Sequence, residues 1–376
     1  MKKLIFKKLL KDITNFFIIS VFSISIIIWV IQAVNYLDFV SEDGHSFRIY
    51  FLYTLLSLPK IISRVLPFMF FISVFYILVK YEEENELVIF WLNGIKKIKF
   101  INTLIIFSIT VLFVQLFMSS YLIPITQDLA RSFIRSSNID SFPNLIKEKK
   151  FIDTVSNLTL YVDEKDDDGI FKNIVLKDEI DRTKSQIIYA DKGEIVKKNN
   201  KYFLILSEGT IINKDKKSTD IINFSSTQFN LSKFETKTTT FPKIQEIDTL
   251  VLMKCLLFLK QTNLVKEFNY KYLSCNIKTI DPLQRELFRR FLLPFYIPLL
   301  ALFVSTLILT SKDKFTYSKS KAKVFLGSVL LIILSEMSIR YITKENLTTL
   351  FFISMPFILF IITYYLMNKK LKKNLN

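Results

Sequence analysis

The stretch Leu158-Thr-Leu-Tyr-Val162 alternates its side chains with a period of two residues, and Tyr202-Phe-Leu-Ile-Leu206 does the same. This period is typical of extended strands with one face turned to a core. Clusters such as Asp191-Lys-Gly193 and Ser207-Glu-Gly209 favour turns between such strands, at the intervals of an antiparallel sandwich or roll. The polar segment 141–281 therefore predicts an all-β domain.

The chain on either side of this segment is apolar enough to lie in lipid. Of its 376 residues 51% are hydrophobic, and the mean hydropathy of +0.33 is higher than a soluble domain needs. The runs long enough to span a bilayer are Ile13–Val34, Ile61–Val79, Ile101–Ile123, Phe291–Leu309, Val324–Ile342 and Leu350–Met367.

The predicted fold is an α-helical polytopic membrane protein with six spans, three before and three after the inserted β domain. Its parts are a first membrane half (1–140), the β domain with a helical return (141–281) and a second membrane half (282–376). The return begins near Asp248, which suits the N-cap position of a helix. The first apolar run is interpreted as a span and not as a signal peptide, because no small-residue cleavage site closes it.

Lysine and arginine in the short connections predict the orientation. The N-terminal lead-in carries five, segment 80–99 four, segment 311–323 five and the tail after Met367 four, whereas segments 41–48 and 343–348 carry one each. By the positive-inside rule both termini are cytoplasmic and the β domain is periplasmic. Most of the net charge of +17 is then topogenic, which argues against nucleic-acid binding.

No residue pattern predicts catalysis, a metal or a cofactor, because the chain has no phosphate-binding glycine loop, no Ser/His/Asp set and no metal-ligand spacing. His45, beside Glu42 and Asp43, is interpreted as a solvated loop residue. Cys255 and Cys275 are the only cysteines. Two buried thiols are favoured over a disulfide, since pairing cannot be inferred from sequence.

The cytoplasmic turn after the second span predicts a short helix over about 82–93. It has an acidic start, an apolar middle at Leu87–Leu92, Gly94 at the C′ position and lysines beyond. The apolar middle faces all sides and is too short to cross a membrane, so the helix must dock. Docking on the chain's own spans and docking on a partner are equally compatible with this pattern.

A series of motifs follows one another along the chain: Val30–Val40, Phe51–Lys60, Val65–Pro67, Asn85–Val88, Asn93–Ile95 and Glu286–Arg290 ahead of Leu293-Pro294. In this order they resemble the lipopolysaccharide-export permeases of the LptF/LptG type, and the stretch from Gln32 to Asp38 favours the LptF member. In place of the family's basic residue followed by small ones, this chain has Trp91-Leu92-Asn93, so the contact of that basic side chain is not carried over to Trp91.

The resemblance implies a non-enzymatic subunit of an ATP-binding-cassette exporter in the cell inner membrane. A second LptF/LptG-type permease would enclose a cavity with this chain, and both would rest on a cytoplasmic ATPase dimer. Lipopolysaccharide would enter from the outer leaflet and pass to the periplasmic jellyroll, which would continue into bridge proteins of similar fold by strand addition. The alternatives are an LptG-type paralogue, a force-transmitting subunit with no lipid path through its spans, and a receptor or scaffold.

Two sets of site residues follow from the implied function. In the coupling helix, Leu87, Phe90 and Trp91 would fill a groove on the ATPase, and Glu84 or Glu86 would pair with a basic residue there. The second set is basic and is predicted to hold the phosphates of lipid A near the outer edge of the bilayer, the alternative being snorkelling to ordinary phospholipid. It consists of Lys60, Arg64, Arg131, Arg135, Arg289 and Arg290.

Overall fold

The chain divides into two compact units, each described here by itself. The membrane unit comprises Met1–Val30, Ser57–Asp128 and Lys243–Asn376, and the β unit comprises Ile31–Leu56 and Leu129–Pro242. The structure, a computed structural model, describes residues 2–37, 46–146, 148–152, 158–166, 169–181, 184–198, 201–214, 218–231, 243–262, 268–270, 273–275, 280–313, 315–342 and 346–373. His45, Glu42 and Asp43 lie outside these ranges.

Eleven α-helices lie within the described ranges. They are α1 (Lys2–Asn35), α2 (Phe47–Leu56), α3 (Leu58–Glu83), α4 (Glu86–Leu92), α5 (Lys97–Phe117), α6 (Ile123–Leu145), α7 (Thr249–Thr262), α8 (Ile280–Phe291), α9 (Tyr296–Ser305), α10 (Tyr317–Arg340) and α11 (Asn346–Lys373). A π-helical turn at Met118–Leu122 joins α5 to α6, and short 3-10 turns flank α9.

The six predicted spans are confirmed. The helices long and apolar enough to cross a membrane, among the described residues, are Lys2–Asn35, Phe47–Glu83, Lys97–Ile134, Ile280–Leu309, Tyr317–Arg340 and Thr349–Lys372. Three precede the β strands and three follow them, as the distribution of apolar runs predicts.

The centre of the membrane unit is an apolar core from α1, α3, α5 and α9. Phe70, Phe71 and Phe100 are fully buried there, together with Leu9 and Ile297. Removing such a side chain from a close-packed interior costs about 3–5 kcal/mol, so these contacts fix how the spans pack.

A proline within α3 shows how the membrane unit satisfies its backbone. Pro67 has no N–H to donate to the carbonyl oxygen of Ser63, four residues earlier. The side-chain amide of Gln115, on α5, donates to that oxygen and to the Ser63 hydroxyl, both at 2.9 Å. The freed carbonyl thus keeps a partner, and α3 is tied to α5 at this level.

The inserted domain is built on a six-stranded antiparallel sheet, so the predicted β domain between spans three and four is confirmed. Strand order follows chain order as an up-and-down meander, and the last two strands of the chain form a separate hairpin. The strands are β1 (Lys150–Ile152), β2 (Leu158–Lys165), β3 (Ile170–Asp181), β4 (Lys184–Lys198), β5 (Lys201–Lys214), β6 (Thr219–Asn230), β7 (Phe268–Tyr270) and β8 (Leu273–Cys275).

The two-residue period describes the sheet correctly. Leu158, Leu160 and Val162 of β2 are buried, as are Leu204 and Leu206 of β5, while the side chains between them are more open. These buried residues form one continuous core, so one sheet face packs inward and the other lies toward solvent.

Two predicted turns are wrong. Segments 191–193 and 207–209 lie inside β4 and β5, where a Cβ on Gly193 would come within 2.4 Å of Ile174 Cδ1 and one on Gly209 within 2.1 Å of the Tyr189 carbonyl oxygen. These glycines therefore mark close approach within long strands and not chain reversal. Gly169, with a φ of 79°, does end a turn, which closes on the carbonyl of Asp166.

The helical return begins at Thr249, directly after Asp248, as predicted. The preference for two free cysteines is wrong, because Cys255 of α7 and Cys275 of β8 form a disulfide. Both side chains are buried against Leu252 and Leu283. The bond joins helix to hairpin across 20 residues of sequence.

Candidate functional site

Helix α4 is the core of the predicted coupling segment, and it is shorter than the sequence predicts. α3 continues through Glu83, and Asn85, with a φ of 60°, separates it from α4. Gly94 occupies the C′ position with a φ of 67°, as predicted. Its N–H donates to Trp91 O at 2.9 Å and the Ile95 N–H donates to Phe90 O at 3.0 Å, which is the Schellman pattern of a closed helix end.

One face of α4 packs on the chain's own helices. Leu87 and Phe90 are 2% and 1% exposed. The Phe90 ring makes edge contacts with Phe6 of α1, with ring centroids 5.5 Å apart, and with Phe100 of α5 at 5.0 Å. The predicted anchoring of Leu87 and Phe90 in a partner's groove does not agree with this burial, because both side chains already complete the membrane unit's core.

Trp91 lies at the margin of this packing. Its half-buried ring contacts Phe100 at 5.8 Å between centroids, and the Lys97 ammonium lies 5.4 Å from its centre. Such a cation over an indole contributes about 0.5–1 kcal/mol at an exposed site. Trp91 is therefore held by contacts within its own chain and remains partly exposed.

The opposite face of α4 is apolar and exposed. Val88, Ile89 and Leu92 are 44%, 48% and 81% exposed. Leu92 follows Val88 by four residues and Ile89 by three, and these spacings put the three side chains on one side of the helix. We call these three residues the outward face of α4; the predicted list of contact residues did not include them.

The acidic residues around α4 tie it to other parts of the same end of the protein. Glu86 accepts a hydrogen bond from Lys8 Nζ of the N-terminal lead-in at 2.9 Å, and Glu84 lies 3.9 Å from Lys80 Nζ. Each pair is solvent-exposed and contributes at most about 1 kcal/mol. Glu86 is thus engaged within the chain, whereas the ion pair of Glu84 with a described residue is a long one.

The turn between spans four and five lies against the end of α3. Glu82 accepts from the backbone N–H of Lys312 at 2.9 Å, and Glu83 pairs with Lys321 Nζ at 2.9 Å. Together with the pair between Lys8 and Glu86, these contacts gather the lead-in and both lysine-rich turns at one end of the membrane unit. A common side for the three segments is what the positive-inside rule requires of them.

Among the predicted lipid-binding residues, Arg290 has a different role. Its side chain is 2% exposed, and its Nε donates to Glu286 Oε1 at 3.0 Å. Its other nitrogens donate to Ile247 O at 2.9 Å, Thr249 Oγ1 at 2.8 Å and Gln245 O at 3.0 Å. This guanidinium is enclosed by protein partners and fastens α8 to the segment that leads into α7, so it is not open to a lipid phosphate.

The other basic residues lie in different settings. Arg289 pairs with Glu286 at 3.3 Å and its side chain is 39% exposed. Lys60 is half-buried and donates to Gln127 Oε1 at 3.4 Å. Arg64, one helical turn further along α3, is exposed and makes no hydrogen bond or ion pair with a described residue. Lys60 and Arg64 therefore lie on one helix as predicted, and Arg64 is the more open of the two.

Arg131 and Arg135 belong to the β unit. Arg131 is 3% exposed, a burial that does not match the open phosphate ligand that was predicted. The side chain of Arg135 lies outside what the structure describes.

Sequence reasoning missed the partners that decide these roles. Glu286 is four residues before Arg290 on α8, a spacing that places the two on one helix face. This spacing could have predicted the ion pair between Glu286 and Arg290 from the sequence. Gln115 had a signal too, since Pro67 frees a carbonyl that needs a donor. The acceptors Gln245 O and Ile247 O have no signal in the sequence, because any residue supplies a carbonyl.

Fold and site together define a polytopic membrane protein with a β domain inserted between its third and fourth spans. The family model of the lipopolysaccharide export system permease LptF/LptG matches residues 7–369. The chain therefore belongs to this family of transport subunits. It is also similar to an uncharacterised protein of Rickettsia prowazekii (strain Madrid E), with 25% identity over 206 residues, which cover 54% of this chain and 56% of that protein. That match spans little more than half the relative's length.

Proposed function

We propose that this chain is one permease of an ATP-binding-cassette exporter that extracts lipopolysaccharide from the inner membrane. Its partners would be a second LptF/LptG-type permease, a cytoplasmic ATPase dimer and periplasmic jellyroll bridge proteins. Family membership supports the transport role. The structural observation that carries the proposal is the outward face of α4, an apolar surface held in a fixed position at the lysine-rich end.

The outward face has the properties of a docking surface for the ATPase. Helix α4 is closed by its Schellman end and held by Leu87 and Phe90, so its exposed side chains need little ordering when they bind. Leu92 is 81% exposed, and full burial of a leucine side chain contributes about 1.5–3 kcal/mol. The coupling role therefore moves from the predicted anchors to Val88, Ile89 and Leu92.

Co-purification of the ATPase tests this surface. Val88→Ser/Leu92→Ser should release the ATPase and leave the melting temperature of the chain near that of wild type, because both side chains are exposed. The matched control is Leu4→Ser, an exposed leucine (69%) on the lead-in, which should retain the ATPase. Leu87→Ala should instead lower the chain's own stability by about 2–5 kcal/mol. Full ATPase yield with the double variant would remove α4 from the coupling role.

The lipid path is proposed to pass Lys60 and Arg64. Both are on α3, Arg64 is open, and a guanidinium binds phosphate oxygens through two parallel hydrogen bonds. Arg64→Glu should lower lipopolysaccharide release from proteoliposomes that contain the assembled exporter. Arg340→Glu, at the exposed end of α10, is the control and should release at the wild-type rate. If Arg64→Glu also released lipopolysaccharide at the wild-type rate, the result would favour a force-transmitting subunit without a lipid path past Arg64.

The proposed bridge would start from the edge of the sheet. β6 pairs with β5, and within the described residues no strand pairs with its other side. Ile221 and Ile222 on β6 are 66% and 51% exposed. Strand addition at such an edge joins two sheets through backbone hydrogen bonds. A photoreactive residue at Ile222 should crosslink to a jellyroll bridge protein, whereas crosslinks to phospholipid alone would contradict the assignment.

The orientation is tested by thiol labelling of spheroplasts before and after lysis. Because Cys255 and Cys275 are bonded to each other, an engineered cysteine would be the chain's one free thiol. Lys214→Cys on β5 should react with a membrane-impermeant reagent in spheroplasts, and Ser318→Cys near the start of α10 should react only after lysis. The reverse pattern would invert the proposed topology.

A further inference from the structure

A shallow cavity of about 560 Å³ opens between the first turns of α1 and the start of α5. It is lined by five lysines and by no acidic residue of the described chain. The five lysines are Lys2, Lys3, Lys7 and Lys11 of α1 and Lys99 of α5. We call this feature the lysine cavity.

The lysine cavity lacks the carboxylate partners that two lysines near it have. Lys8 and Lys321 each pair with a glutamate at 2.9 Å. None of the five cavity lysines forms an ion pair or a side-chain hydrogen bond with another described residue, and all five are exposed. Ammonium groups converging on one space without a counter-charge repel one another, and an anion that enters the space is favoured by all of them.

The positive-inside rule alone does not require this arrangement. It needs lysines close to the membrane surface, on any face of the helix. Here Lys3, Lys7 and Lys11 follow at intervals of four residues and so lie on one face of α1. Lys99 comes from a different helix and lines the same space.

The remaining lining describes the kind of anion that fits. Phe6 and Leu10 give the cavity an apolar, half-buried wall. The hydroxyls of Thr14 and Thr103 already donate to the carbonyl oxygens of Leu10 and Lys99, at 2.7 and 3.0 Å, so the ammonium groups are the donors left for a ligand. Lysine ammonium groups lack the rigid fork of an arginine guanidinium, so they can bind the phosphates of a flexible headgroup in several positions. The apolar wall can contact the part of an acyl chain nearest the headgroup.

We propose that the lysine cavity binds an anionic phospholipid of the adjacent leaflet, with a preference for a headgroup that carries two phosphates, as in cardiolipin. With the orientation proposed above this is the cytoplasmic leaflet. The site is separate from the proposed path of lipopolysaccharide, so it stands or falls independently of that path.

Native mass spectrometry of the full-length chain, purified with its co-purifying subunits and stripped of lipid in detergent, tests the proposal. The probes are cardiolipin, phosphatidylcholine and inorganic pyrophosphate. Wild type should retain cardiolipin over phosphatidylcholine, and Lys7→Gln/Lys99→Gln should bind cardiolipin about tenfold more weakly or worse. The control Lys369→Gln/Lys370→Gln removes two exposed lysines from the end of α11 and should bind like wild type.

Three results would overturn the proposal. One is equal cardiolipin retention by the cavity variant and the control. Another is binding of pyrophosphate as tight as that of cardiolipin, which would make the ligand a free anion. The third is loss of a co-purifying cytoplasmic subunit from the cavity variant with lipid retention unchanged, which would make this a protein-binding surface. If the glutamine variant does not fold, Lys7→Arg/Lys99→Arg keeps the charge and should retain cardiolipin; failure to do so also counts against the site.

Discussion

Replacement of Arg290 by leucine separates a structural arginine from a lipid ligand. In wild type the guanidinium makes four hydrogen bonds of 2.8–3.0 Å, to Glu286, to Thr249 and to two backbone carbonyls. Leucine leaves the side chain of Glu286, which is 9% exposed, without this partner. It also leaves two carbonyls of the segment before α7 without their donor.

The magnitude follows from those losses. Breaking a buried ion pair by removal of one partner costs about 3–5 kcal/mol. Glu286 would keep its contact with the partly exposed Arg289, which places the expected loss near the lower of these values. The matched variant Arg289→Leu removes a neighbouring arginine that contacts the same Glu286 but is 39% exposed. An exposed pair contributes about 0–1 kcal/mol, so this variant should be nearly neutral.

Thermal unfolding in detergent measures the difference. Arg290→Leu should unfold on the order of 5 °C or more below wild type, and Arg289→Leu within about 2 °C of it. The double variant Glu286→Leu/Arg290→Leu should recover part of the loss, since no buried charge remains. An Arg290→Leu protein with wild-type stability and selectively reduced lipopolysaccharide release would refute the structural role and restore the phosphate-ligand prediction.

Three further changes test the local structure. Gly94→Val should lower stability by about 1–2 kcal/mol in thermal unfolding, since a β-branched residue opposes a φ of 67°. Gly209→Val should expose the sheet to limited proteolysis, because its Cβ would lie 2.1 Å from the Tyr189 carbonyl oxygen, whereas a wild-type digestion pattern would mean that β5 shifts freely. Cys255→Ser/Cys275→Ser should cost about 3 kcal/mol, the loop entropy of a bond that spans 20 residues, and a reducing agent should lower the melting temperature of wild type but not of this variant.

The spans and the sheet were predictable because their signals are local. An apolar run of bilayer length allows few alternatives to a helix, and alternation such as that of Leu158, Leu160 and Val162 fixes which side chains face a core. The turns at Gly193 and Gly209 were mispredicted for a physical reason: glycine serves equally where a chain reverses and where a neighbouring strand comes close. Only the packing partners, here Ile174 and Tyr189, distinguish the two cases.

The existence of the coupling helix was predictable from the sequence, but the side of the helix that packs against the protein was not. Its apolar residues cover all sides, so composition does not tell which of them meet the protein's own core. Phe6 and Phe100 decide that question; they come from α1, which is remote in sequence, and from the next helix, α5. Phe90 packs against both rings, Leu87 is buried in the same core, and Leu92 remains outside. A helix without a polar face thus has its orientation set entirely by tertiary contacts.

The same reasoning explains why clustered basic residues overpredicted the lipid site. An arginine at membrane depth requires a partner, and sequence alone does not say whether that partner is a lipid or the protein. Arg290 has its carboxylate four residues away and is enclosed. Arg64 has no such neighbour on α3 and is open. Depth in the membrane does not distinguish Arg64 from Arg290. A carboxylate three or four residues away on the same helix does, because Arg290 has one and Arg64 has none.

Helix α3 joins the two proposed sites in one continuous element. Its 26 residues span about 39 Å, from Lys60 and Arg64 near one end to Tyr81 near the other, where the Tyr81 hydroxyl donates to Asp12 of α1. Pro67 interrupts the backbone bonding just beyond Arg64, and Gln115 supplies the missing donor from α5. A bend at this point need not leave a carbonyl unpaired, because the donor is a side chain that can follow it. A displacement of α4 would act directly on the end of α3 at Glu83, which adjoins α4 in the chain. The point where α3 can bend, at Pro67, lies close to the proposed phosphate ligands Lys60 and Arg64.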